Sequence, residues 1–144
     1  MASKIVVGYD GSRSARTALN FALDVAKAQG GSIVVAHVLE WSPYSFLSAS
    51  ELEERHKRRT EELERANTAL IQPLLKDLET SGVNVTATVK YGNIAEVLVT
   101  ISKSEGANHL VIGRTGHSAL SSRLFGSVAG SLAQAAPVPV TIVP

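Results

Sequence analysis

The chain has 144 residues, which suits one domain with a buried core, and its net charge of +1 gives none of the basic excess typical of nucleic-acid-binding domains. There is no cysteine, which excludes disulfides, thiolate metal sites and a cysteine nucleophile and suits a reducing compartment. The longest apolar run, residues 33 to 39, is too short to span a bilayer. We expect one cytoplasmic domain over residues 1–144 that binds no nucleic acid and inserts into no membrane.

The first strand is predicted at Ile5-Val6-Val7, a β-branched run that ends at the turn Gly8-Tyr9-Asp10-Gly11. Ser12 is a suitable N-cap for a following amphipathic helix, and Gly30-Gly31 should end that helix. A second strand is predicted from Ser32 to Leu39.

The second part of the chain continues the same alternation. A loop is predicted from Glu40 to Ala49, then a charged helix from Ser50 to about Ser81, which Pro73 should kink or divide. The remaining predicted elements are a strand at Val83–Val89, a helix capped by Asn93, a strand at His109–Ile112, a helix from about Ser127 to Ala135 and a strand at Val138–Val143. This order is typical of an α/β fold, a parallel sheet with helices on both faces.

Two predicted strand ends carry residues suited to a ligand, since open parallel sheets bind ligands outside the carboxyl ends of their strands. One is the segment of residues 8–12, and the other is Gly113-Arg114-Thr115-Gly116 with the later pair Gly126-Ser127. A helix that begins at Ser127 would present free N–H groups and its positive dipole end to a phosphate. Turn glycines, an ordinary N-cap and solvated arginines explain the same residues without a ligand, so the spacing alone leaves both interpretations open.

The motifs of the common nucleotide enzymes are absent. Residues 8–12 lack the lysine and the length of a P-loop, and no G-x-G-x-x-G follows the first strand. The histidines, His37, His56, His109 and His117, lack metal-ligand spacing, and no acid–base pair is evident near the glycine loop. We therefore expect no catalytic residues and no metal held by the protein itself.

The glycine loop resembles that of a known family. Its spacing, Gly113-x2-Gly116-x9-Gly126-Ser127, is similar to the G-x2-G-x9-G-[ST] loop of the ATP-binding branch of the universal stress protein family. The segment Ile5 to Ser12, the pair His37-Val38 and the segment Ala136 to Val140 also resemble that family. The resemblance implies a Rossmann-like fold whose five parallel strands follow the order 3-2-1-4-5, with strands one and four side by side.

The resemblance also implies a site for ATP, with Mg²⁺ or Mn²⁺ bridging its phosphates. Asp10 would contact the ribose, the backbone at Val38 would meet the adenine, and Arg114 with its neighbouring glycines would wrap the ribose and phosphates. The N–H groups of residues 126 to 128 would donate to the phosphates. The predicted nucleotide-binding residues are Gly8, Tyr9, Asp10, Val38, Ile112, Gly113, Arg114, Gly116, Gly126, Ser127 and Val128.

Family members join edge strands as antiparallel pairs, so the resemblance further implies a homodimer formed through Val138 to Val143. We expect a stress-response regulator that acts as a nucleotide-dependent homodimeric switch or sensor on an unidentified protein partner. Two alternatives stay open. One is a slow ATPase or phosphotransferase, and the other is a dimeric interaction module that needs no nucleotide.

Overall fold

In the part of the chain that the structure describes, five parallel strands form one sheet. A computed structural model describes residues 3–40, 49–114 and 121–144, with only the backbone for 121–127. The strands are β1 (Lys4–Gly8), β2 (Ser32–Glu40), β3 (Asn84–Gly92), β4 (His109–Gly113) and β5 (Val140–Val143). They form one sheet in the order β3-β2-β1-β4-β5, and each neighbouring pair is parallel. The predicted fold class and strand order are therefore confirmed.

The helices lie on both faces of this sheet, and two of them begin at the predicted N-caps. The helices are α1 (Arg13–Gln29), α2 (Ala49–Ala66), α3 (Gln72–Asp77), α4 (Ile94–Ser104) and α5 (Ser121–Ala135). The Ser12 hydroxyl accepts from the Ala15 N–H at 3.1 Å, and the Asn93 side chain accepts from the Glu96 N–H at 3.1 Å. Each cap satisfies an N–H group that a helix start otherwise leaves unpaired.

The charged helix predicted from Ser50 is divided before Pro73, as expected. A π-helical turn, Asn67–Ile71, separates α2 from α3, and the Gln72 N–H donates to the Asn67 carbonyl. Pro73 then lies in the first turn of α3, where a helix needs no N–H donor.

The start of α5 differs from the prediction. The helix begins at Ser121, so Gly126 and Ser127 lie inside it and not directly before it. An interior glycine costs a helix only about 1 kcal/mol relative to alanine, so Gly126 does not prevent the helix from starting earlier. The prediction that Gly126 and Ser127 present free N–H groups at a helix start is wrong, because those positions lie beyond the unpaired first turn.

Two hydrophobic layers cover the sheet, one on each face. Alternate residues of β1 point to opposite faces, so Ile5 packs in the layer that contains Leu19 of α1, and Val6 in the layer that contains Leu98 of α4. All four are at most 1% exposed. Within the described ranges, no helix is both long and apolar enough to cross a bilayer.

Candidate functional site

The carboxyl ends of β2, β1 and β4 lie side by side and bring several of the predicted residues together. In the register of the sheet, Gly8 of β1 pairs with Ala36 of β2, and Val7 pairs with Val111 of β4. Neighbouring strands are about 4.8 Å apart. The segment that follows β1 and contains Asp10 therefore leaves the sheet between the last residues of β2 and β4.

Asp10 is held by a tight turn at this edge. One of its carboxylate oxygens, Oδ1, accepts from the Ser12 N–H at 2.9 Å. Gly11, between them, has a φ of +82°, a left-handed conformation that favours glycine. Because Ser12 also caps α1, the half-buried carboxylate has a fixed position relative to the start of that helix.

Tyr9, which precedes Asp10, is hydrogen-bonded to β2. Its N–H donates to the Ala36 carbonyl at 2.9 Å, and its carbonyl oxygen lies 2.7 Å from Nδ1 of His37. Tyr9 and His37 are both buried, each with 9% exposure. The side chain of this predicted contact residue packs in the core, so at the carboxyl edge Tyr9 contributes backbone that precedes Asp10. His37 is therefore a packed and hydrogen-bonded strand histidine.

Gly8 and Ile112, which are both in the predicted set, contact each other inside the protein. A Cβ built on Gly8 would lie 3.1 Å from Cγ2 of Ile112 and 3.3 Å from Cδ1 of Leu98. The Ile112 side chain is 3% exposed and belongs to the core. Packing is therefore enough to explain the small residue at Gly8, and a ligand at the edge would meet the backbone of these residues.

Gly113 and Arg114 mark the end of β4. Gly113 is buried against Ser14 in the first turn of α1, which leaves no room for a side chain. Arg114 is exposed, and its N–H donates to the Val143 carbonyl at 2.8 Å. The edge thus carries a fixed carboxylate after β1 and a cationic residue after β4, groups that suit ribose hydroxyls and phosphate oxygens respectively.

Of the remaining predicted residues, the structure describes Val38 and Val128 but not Gly116. Val38, which pairs with Lys90, and Val128 of α5 are half-buried and pack against the core layer on the α4 face. Gly116 lies outside the described residues, as do residues 41–48 of the loop predicted from Glu40 to Ala49, whose two end residues belong to β2 and α2. Among the described residues, no three His, Asp or Glu side chains cluster closely enough to hold a metal ion.

A polar cluster at the end of β3 was missed in the sequence. The Tyr91 hydroxyl donates to a Glu62 carboxylate oxygen at 2.9 Å, and Cζ of Arg59 lies 4.6 Å from the centre of the Tyr91 ring. The hydrogen bond to Glu62 is the main cause that raises the pKa of Tyr91. The three-residue spacing of Arg59 and Glu62 puts them on one helix face, but nothing in the sequence indicates that Tyr91 is their partner.

Comparison with known proteins identifies the family. The sequence matches the universal stress protein family over residues 1–144. A universal stress protein of Thermus aquaticus is 31% identical over 144 residues, which covers 99% of both chains. The universal stress protein UspA of Lactobacillus plantarum has a similar structure, with a TM-score of 0.81, 21% identity and coverage of 99% of this chain and 97% of that one.

Three further structures of similar fold contain adenine nucleotides. A universal stress protein in complex with cAMP has a TM-score of 0.67 at 23% identity, and the match covers 99% of this chain and 96% of that chain. A family protein of Arabidopsis thaliana with AMP bound has a TM-score of 0.66 at 18% identity, with coverage of 98% and 90%. The universal stress protein of Archaeoglobus fulgidus in complex with dAMP has a TM-score of 0.59 at 20% identity, with coverage of 100% and 98%.

At these identities the solved structures establish a shared fold and do not transfer individual contacts. The family match, by contrast, extends over the whole sequence. The Thermus aquaticus relative is also similar over nearly its full length. This chain therefore belongs to the universal stress protein family.

Proposed function

We propose that the chain is an adenine-nucleotide-binding regulatory protein, that ATP is its ligand, and that it acts as a homodimeric switch or sensor. The proposal rests mainly on the position of Asp10, whose carboxylate is fixed by the Ser12 N–H at the carboxyl edge. Structures of similar fold with cAMP, AMP and dAMP support an adenine nucleotide as the ligand class. The whole chain is proposed to serve as one nucleotide-binding domain, with the cytoplasm as its compartment.

The roles proposed for the edge residues follow from their chemistry. The Asp10 carboxylate would accept hydrogen bonds from the ribose hydroxyls, and the Arg114 guanidinium would pair with the phosphates. The backbone at Val38 would contact the adenine, and Mg²⁺ or Mn²⁺ would be carried by the phosphates. Donation by the N–H groups of Gly126 and Ser127 would require the first turns of α5 to unwind, because helical hydrogen bonds use those groups in the present helix.

A stable nucleotide complex is the expected behaviour, because a sensor holds its ligand and needs no acid–base pair. The protein is incubated with Mg-ATP, freed of unbound nucleotide and denatured, and the released nucleotide is identified by chromatography. Recovery of intact ATP near one per chain supports the sensor. Recovery of ADP supports the slow ATPase, and recovery of nothing, with no signal in an equilibrium titration, contradicts the proposal.

The proposed homodimer uses the side of β5 that faces away from β4. The carbonyls of Pro139 and Val143 accept from Leu110 and Arg114, so these residues direct their backbone groups towards β4. The N–H and C=O of one strand residue point to the same side, and successive residues alternate, so Val140 and Ile142 direct theirs outward. The donor that Pro139 lacks is therefore on the β4 side and would not weaken a dimer formed through the outer edge.

A further inference from the structure

We propose that His37 is a positioning residue, whose Nδ1–H group holds the Tyr9 carbonyl and thereby sets the Asp10 carboxylate for the nucleotide. This inference rests on the proposed function, because it assigns His37 a part in the same site. His37 belongs to β2 and is only 9% exposed, so the residues packed around its ring hold the ring in one orientation. It is a histidine that the nucleotide-binding roles proposed above do not use.

The two bonds to Tyr9 come from consecutive residues of β2. The Ala36 carbonyl accepts from the Tyr9 N–H at 2.9 Å, and Nδ1 of His37 lies 2.7 Å from the Tyr9 carbonyl. A carbonyl oxygen only accepts, so the proton of the neutral imidazole must be on Nδ1. The backbone of Tyr9 is thus fixed on both sides, one residue before Asp10.

The chain beyond Tyr9 is held again at the start of α1. There the Ser12 N–H donates to Asp10, and the Ser12 hydroxyl accepts from Ala15. Gly11, which lies between Tyr9 and Ser12, has the conformational freedom of glycine. Without the His37 bond, the backbone of Tyr9 would keep its N–H bond to Ala36 but lose the bond to its carbonyl, so it would be held on one side instead of two. The carboxylate would then lose part of its fixed orientation before binding, and ordering it would reduce the affinity for nucleotide.

Substitution of His37 by asparagine or by glutamine distinguishes this role from simple packing. The amide nitrogen of asparagine can take the position of Nδ1, whereas that of glutamine takes the position of Nε2. His37→Asn should therefore keep the donor to Tyr9, and His37→Gln should lose it. His109→Gln is the matched control, because His109 is also a hydrogen-bonded strand histidine, and its Nε2 lies 2.6 Å from Oγ1 of Thr141 on β5.

The first measurement is the affinity for Mg-ATP by titration calorimetry. We expect His37→Gln to weaken binding by about 2- to 12-fold, the equivalent of one neutral hydrogen bond, while His37→Asn and His109→Gln stay close to the wild type. In an Asp10→Ala background the His37→Gln effect should disappear, because a residue that acts through Asp10 has nothing left to position. An effect of the same size in that background overturns the proposal.

The second measurement uses nuclear magnetic resonance and needs no nucleotide. In ¹⁵N-labelled wild type, we expect the spectrum to show His37 as the Nδ1–H tautomer. In His37→Gln, we expect the Ser12 amide signal to shift. An Nε2–H tautomer, or an unchanged Ser12 amide, overturns the positioning role even if His37→Gln is too unstable to titrate. If the Ser12 amide shifts but wild type binds no ATP, the proposed function fails, whereas the control of the Asp10 turn by His37 stands.

Discussion

Gly113, at the end of β4, lies directly against Ser14 in the first turn of α1. A Cβ built on Gly113 would be 2.5 Å from the Ser14 hydroxyl oxygen and 2.6 Å from the Ser14 carbonyl oxygen. Real Cβ atoms do not approach backbone atoms so closely, and a carbonyl inside a helix cannot easily move away. The first glycine of the glycine loop is therefore required by the packing of α1 on the sheet, whether or not a nucleotide binds.

Gly113→Ala should consequently destabilise the protein in the absence of any ligand. Overpacking of a close contact typically costs about 1–3 kcal/mol, and we expect a loss of that size in the free energy of unfolding. The measurement is urea denaturation without nucleotide. Gly130→Ala is the control, because among the described residues nothing lies within 4 Å of a Cβ built there, and alanine should stabilise α5 by up to about 1 kcal/mol. Equal stability of Gly113→Ala and wild type would contradict the prediction.

The proposed nucleotide contact of Asp10 can be separated from its role in the turn. Asp10→Asn keeps a side-chain oxygen that can accept from the Ser12 N–H but loses the negative charge, whereas Asp10→Ala loses both. A hydrogen bond to a charged group contributes about 1.5–3 kcal/mol, so Asp10→Ala should weaken ATP binding by about 10- to 150-fold and Asp10→Asn by less.

The affinities are measured by titration calorimetry with Mg-ATP. Asp24→Asn is the matched control, because Asp24 is an exposed carboxylate on α1 that lies well along the helix from Asp10. Asp24→Asn should bind ATP as the wild type does. If all three variants bind alike, Asp10 has no part in the site.

The fold was largely predictable because its signals are local. Each signal acts within a few residues, and each is confirmed. They are the β-branched runs, the N-caps Ser12 and Asn93, and Pro73, before which the charged helix is divided. The start of α5 was not predictable, because helix propensities near Gly126 differ by only about 1 kcal/mol, which is too little to fix a helix boundary from the sequence. The strand order came from the family resemblance, since alternation alone does not fix the order in which strands are wound.

The site was predictable as a region but not as a set of contacts. The adjacency of β1 and β4 follows from the strand order, and it brings Asp10 and Gly113 to one edge. The packing of Ile112 and Tyr9 into the core depends on helices that cross the sheet, which the sequence does not specify. The bond between His37 and Tyr9 joins residues that are far apart in sequence, and no local pattern indicates it.

The contact between Tyr91 and Glu62 should determine how firmly α2 lies on the sheet. No residue of α2 is buried, and this hydrogen bond and the cation–π contact of Arg59 join α2 to the end of β3. Tyr91→Phe should speed amide hydrogen exchange in α2, with a loss of global stability below about 1 kcal/mol because the bond is partly exposed. Glu54→Gln, which breaks the exposed ion pair with Arg58 inside α2, should leave the exchange rates unchanged.

Protonation of His109 should make the protein less stable in acid. Burial lowers the pKa of His109, so the unfolded chain binds a proton at a higher pH than the folded protein does. The stability is fully present above the unfolded pKa, about 6.5, and falls as the pH drops from there through the lowered pKa of the folded state.

The measurement is the urea midpoint at several pH values on both sides of the unfolded pKa, for wild type and His109→Gln. The glutamine amide does not titrate and can still bond to Thr141, so the variant should lose less stability over this range. Parallel pH profiles for the two proteins would show that His109 does not cause the acid sensitivity.

The proposed dimer gives the last prediction. Ile142 is 44% exposed on the outer strand β5, and a second copy joined antiparallel along this edge would put residue 142 of each copy in the interface. Ile142→Lys should place two like charges in the interface and shift the protein from dimer to monomer in sedimentation velocity. Leu52→Lys is the matched control, because Leu52 is 53% exposed on α2, away from β5, and should leave the dimer intact. A monomeric wild type, or dimers in both variants, would exclude this edge as the interface.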